Sequence, residues 1–166
     1  MIEHVTMSCA DCGCVVVRGR VVRPCGVSGC CCAELPVLSM DVLATEIRLA
    51  MELADLQAMG VLLAPDARWG APEQEVPTCR NAPQMLSWYE LARDSGVRAD
   101  VGEIVVIGDH IVVGLTLHPK PEDAQHSRDS KRWQVLSVKD GQVVEIRGYE
   151  RRSAAIDFAT SGVSQW

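Results

Sequence analysis

The sequence contains no run of about 18 consecutive apolar residues, the length at which a helix can cross a bilayer. It has no basic excess: 16 Lys and Arg stand against 22 Asp and Glu, a net charge of −6. Nucleic acid is therefore not expected as the main partner, because phosphate recognition depends on Lys and Arg. No block of like charge marks an interaction tail. The N-terminus lacks the basic stretch and apolar core of a secretion signal, so the expectation is a cytoplasmic protein without membrane partners. There is no internal repeat. What is there, 166 residues of which 48% are hydrophobic, is enough for one domain with a real core.

The chain is nearly empty of cysteine after its first fifth. Seven of its eight cysteines lie between Cys9 and Cys32, and the eighth is Cys79. This divides the chain into a Cys-rich leader over 1–38, a globular part over 39–160 and a short tail over 161–166. In the leader Arg18, Arg20 and Arg23 offset Glu3, Asp11 and Glu34, so the net charge belongs to the globular part. The leader has no aromatic residue with which to start a core and no clear hydrophobic period. Its composition reads as a disordered segment, or as translated sequence upstream of a start at Met40. The alternative is a metal site: Cys9 and Cys12, then Cys25 and Cys30, are spaced so that four thiolates could close on zinc. With no secretion signal, disulfides rank last.

From Ser39 the patterning is ordinary. Ser39 is an N-cap type, and Met40, Leu43, Ile47, Ala50, Met51 and Ala54 recur at helical spacing. Asp55 can cap a second, shorter helix that Pro65 should end, with a strand from Asp66 to Ala71. Asn81 and Pro83 mark the start of a third helix and Gly96 its end, with Met85, Leu86, Tyr89 and Ala92 as the buried stripe. Four β-rich runs follow: Val101–Ile107, Ile111–Leu117, Lys131–Val138 and Gln142–Tyr149. Gly108-Asp109 and Asp140-Gly141 are tight turns. The segment His118–Ser130 reads as a long flexible loop, and Ser153–Ala159 as a final short helix. Helices followed by a meander predict an α+β fold, with helices packed in a curved antiparallel sheet that closes around a pocket.

The order of DLQAMGVLLAPDARWGAP, CRNAPQMLSWYELA, GDHIVVGLTLH and KDGQVVEIRGYERRSAA resembles the SnoaL-like branch of the nuclear-transport-factor-2-like superfamily, over roughly residues 40–160. The resemblance implies a cone-shaped α+β barrel with a hydrophobic pocket, a homodimer, and either cofactor-independent lyase, isomerase or cyclase chemistry on an apolar organic molecule, or a non-catalytic binding or dimerisation module. Fold alone does not decide between them.

The resemblance to ketosteroid isomerase gives the sharpest comparison. The position of that enzyme's general-base Asp is Ala71 here, before Pro72. Its oxyanion-holding Tyr matches Ile47, and its protonated Asp matches Gln134. An alanine accepts no proton, so that activity is not expected. The same resemblance points Val112, Gly114, Thr116 and His118 inward on one strand and Gln134 and Leu136 inward on the next, with Trp69 and Trp88 as walls and Glu150 on the last strand. His118 is then the candidate proton carrier, because imidazole titrates near neutrality, and Asp100 or Glu150 could orient it. Trp69, Trp88, Thr116, Gln134 and Glu150 are the candidate ligand contacts. No cofactor is expected. Cys79 sits at a helix start, where a thiol can be activated, but without a neighbouring His it reads as a small buried apolar group.

Overall fold

A computed structural model describes residues 6–8, 15–17, 20–23, 39–120 and 129–161. The leader contributes three short strands, β1 (Thr6–Ser8), β2 (Val15–Val17) and β3 (Arg20–Arg23), paired antiparallel in that order. The candidate zinc ligands Cys9, Cys12, Cys25 and Cys30 lie outside the described residues, as does the centre of the loop between His118 and Ser130.

Helix α1 (Met40–Glu52) starts where Ser39 accepts a hydrogen bond from the Val42 amide, and α2 (Leu56–Leu62) where Asp55 accepts one from Ala58 at 2.9 Å. Pro65 was the expected stop, but the chain turns extended at Leu63 and Pro65 lies inside strand β4 (Leu63–Gly70). It is tolerated there because β4 skips register between Leu63 and Arg68, so the missing N–H interrupts no ladder. Helix α3 (Ala82–Asp94) is capped from both directions: Asn81 accepts from the Gln84 amide, and the Gln84 side chain accepts from the Arg80 amide.

Strands β5 (Arg98–Ile107), β6 (His110–His118), β7 (Ser130–Lys139) and β8 (Gln142–Tyr149) form the expected antiparallel meander. Gly108 (φ 58°), Asp140 (φ 52°) and Gly141 (φ 75°) take the left-handed backbone that its tight turns require. The five-stranded order is β4-β8-β7-β6-β5, with β4 parallel to β8. The sheet is therefore mixed rather than wholly antiparallel. Register shifts in β5 and between Ser137 and Val138 help bend it into a curve.

One face of the sheet carries α1, α2 and α3 over the main core, where Leu43, Ile47, Leu62, Met85, Ile111, Leu136 and Ile146 are sealed from solvent. The other face is not bare. Helix α4 (Arg152–Ser161) lies across β6, β7 and β8, burying Ala155 and Ala159 against Val112, Val135 and Tyr149. No helix among the described residues is long and apolar enough to cross a membrane.

Candidate functional site

Because paired residues of neighbouring strands share a face, the register between β6 and β7 decides which side chains meet. Gln134 pairs with Val113, and Leu136 with Ile111. The face that holds Gln134 therefore takes Ile111, Val113 and Leu115 from β6, and Val112, Gly114, Thr116 and His118 project to the other side. This corrects the inward placement of Thr116 and His118. Each strand alternates as expected, but the pairing sets β6 one residue out of phase with the inward face of β7.

His118 is nonetheless held with care. Its Nε2 lies 2.8 Å from Asp100 Oδ2 and its Nδ1 2.9 Å from Asp129 Oδ1. Both ring nitrogens face carboxylates, an arrangement satisfied only by the imidazolium, which donates from both. Hydrogen bonding to Asp100, and then to Asp129, raises its pKa. The orienting role anticipated for Asp100 is present; Glu150 is exposed beyond the end of β8 and is not a partner of His118. The group is a charged clasp joining β5, β6 and the entry to β7. A folded-state pKa above the ordinary value of about 6.5 means that the clasp's stabilisation is complete below that pH and is lost as pH rises through the folded pKa. An NMR titration should find the His118 ring still protonated above its ordinary midpoint, and Asp100→Asn should move the midpoint down. An unshifted midpoint in the unsubstituted protein would mean that the clasp does not persist in solution.

On the face with the helices, the aromatic residues gather. The Trp69 ring meets Trp88 edge-on with centroids 5.4 Å apart, and stacks on Tyr89 at 6.0 Å and 7°. Trp69 comes from β4, and Trp88 and Tyr89 from α3. Helix and strand are tied by paired backbone bonds of 2.9 Å between Trp69 and Cys79, just before α3. Tyr89 and Gln134 are neighbours in the interior. Burial pushes the Tyr89 phenol up to about 12, with the nearby Gln134 amide acting weakly in the opposite sense. Their approach falls short of hydrogen-bond geometry: Tyr89 Oη and Gln134 Oε1 are both buried without a hydrogen-bond partner. Ile47 is core, as its apolar side chain requires, so the interior hydroxyl comes from α3 rather than from α1. Tyr89 was readable as part of the buried stripe. Its proximity to Gln134 was not, since that depends on how α3 crosses the sheet.

Outside this aromatic cluster runs an open groove of about 560 Å³, lined by the segment before α3 and by one face of α3, including Thr78, Cys79, Arg80, Ser87 and Trp88. Trp88 is 49% exposed. It lines a surface groove rather than an enclosed pocket. Cys79 is a buried free thiol whose pKa burial raises, so it is not an activated nucleophile. The structure thus brings Trp69, Trp88 and Gln134 to one side of the sheet, with Trp88 on the groove, and leaves His118 and Thr116 on the other. Among the described residues no group of three His, Cys, Asp or Glu side chains could hold a metal ion.

No family model and no curated protein matches the sequence. Solved structures do match its fold. A nuclear-transport-factor-2-like protein of unknown function from Cytophaga hutchinsonii superposes with a TM-score of 0.53 at 9% identity, covering 72% of this chain and 96% of that one. A provisionally assigned ketosteroid isomerase from Kribbella flavida gives 0.54 at 16% identity, over 66% and 76% of the two chains. A nuclear-transport-factor-2-like protein of unknown function from Mesorhizobium loti gives 0.53 at 20%, over 66% and 88%. At these identities the likeness concerns the fold: four helices and a five-stranded mixed curved sheet, the α+β architecture expected from the sequence.

Proposed function

We propose that the globular part of this chain is a small-molecule-binding domain that holds a largely apolar organic ligand in the groove beside Trp88, without acid–base catalysis. The observation that carries this reading is the separation of the aromatic wall from the titratable machinery. The groove has a volume within the range of small-molecule sites, about 300–1,000 Å³, and offers a half-exposed indole backed by Trp69. No carboxylate and no imidazole lines it, and burial raises the pKa of its thiol. His118 is on the opposite face of the sheet and is already engaged by two carboxylates. Ala71, where ketosteroid isomerase carries its base, adds none. Tyr89 and Gln134 can donate hydrogen bonds but cannot take up a proton near neutral pH.

A neutral apolar probe, N-phenyl-1-naphthylamine, should gain fluorescence on binding. Trp88→Ala should weaken that binding about tenfold, the equivalent of about 1.4 kcal/mol, while His118→Ala should leave it unchanged. Undiminished binding to Trp88→Ala, or its loss in His118→Ala, would place the site elsewhere.

A further inference from the structure

The groove has a polarity that the apolar reading does not use. Arg80 is exposed on its rim and forms no ion pair with any described residue, and no carboxylate lines the groove. On a chain of net charge −6, the Arg80 guanidinium is the only charged side chain among the residues that line the groove. The positive end of α3 does not account for the groove's polarity, because the Arg80 and Gln84 amides are taken by the Gln84 and Asn81 side chains. Thr78 donates its hydroxyl proton to Gln74, and Ser87 is a further residue lining the groove. The same groove is lined by the Trp88 indole and by the rings of Pro77 and Pro83.

We propose that the groove selects small organic acids, with a carboxylate on the Arg80 guanidinium and a planar apolar body against Trp88. A guanidinium presents a fork that matches a carboxylate with two parallel hydrogen bonds, and an indole face favours a flat, weakly hydrated partner. This inference rests on the reading of the groove as the ligand site and adds the charge of the ligand.

The test is calorimetric titration of the full chain with 1-naphthoate and with its uncharged counterpart 1-naphthamide. The expected result is at least tenfold tighter binding of the naphthoate. Arg80→Gln should bring the two affinities together by weakening naphthoate binding, and Trp88→Ala should weaken both. Arg80 is exposed and its backbone bond to Gln84 is kept in the variant, so the fold should be retained; circular dichroism checks this. Equal affinity for both probes in the unsubstituted protein overturns the selection for acids while leaving the groove as a ligand site. Failure of both probes to bind overturns the groove reading together with it.

Discussion

Replacing Arg147 by alanine should destabilise the fold by about 3–5 kcal/mol, the scale on which breaking a buried ion pair is felt. The side chain is 2% exposed, and its Nε donates to Glu145 Oε1 at 2.7 Å. Both residues come from β8, two apart, so they point to the same face, where α4 covers them. The guanidinium lies 4.9 Å from the centre of the Phe158 ring on α4, and His110 meets the same ring at 5.7 Å. Alanine at 147 takes the Nε donor away from the buried Glu145 carboxylate, and it also removes the group that seats Phe158. Urea denaturation measures the loss. If Arg147→Ala costs less than about 1 kcal/mol, water reaches the pair and α4 does not seal this face.

The second large effect is expected at Gly114, where the fault is one of space. A Cβ there would lie 2.5 Å from Cζ3, 2.7 Å from Cη2 and 3.1 Å from Cε3 of Trp133, its partner on β7. The indole covers the glycine, as aromatic residues do when they shield a glycine across a strand pair. The Arg152 guanidinium is 5.8 Å from the ring centre and is itself anchored to Glu103 by two hydrogen bonds, of 2.8 and 2.6 Å. Gly114→Ala should therefore cost about 1–3 kcal/mol, the range for overpacking. Trp133→Leu in the alanine background should recover part of it, so that the two substitutions are non-additive. Full stability of Gly114→Ala alone would show that the indole swings clear and that the cover is incidental.

Much of the fold was legible because its signals are local. Ser39, Asp55 and Asn81 cap the helices they precede, and each cap satisfies amides within three residues of itself. Gly108 and Asp140-Gly141 take the left-handed backbone of the turns they were assigned to. Even the position of Ala71 before Pro72 could be weighed without coordinates, since an alanine has no chemistry to offer in any arrangement. The candidate site was less legible. Trp69 and Trp88 were named as walls and do stand together, but their contact needs β4 and α3 to be tied through Cys79. Arg80 gave no signal at all: a surface arginine looks the same whether or not a groove lies beside it.

From residue 39 onward the sequence by itself determined the elements, their order and the α+β class, because caps, turns and periodicity act over a few residues; the three leader strands carried no such signal. Tertiary structure decided which face each strand turns to the helices. Alternation has a period of two and gives two faces without labels, so a single strand cannot say which side is inward. That is settled only when Val113 is set opposite Gln134, which carries His118 and Thr116 to the far side. The same non-local arrangement set β4 parallel to β8 and laid α4 over Arg147.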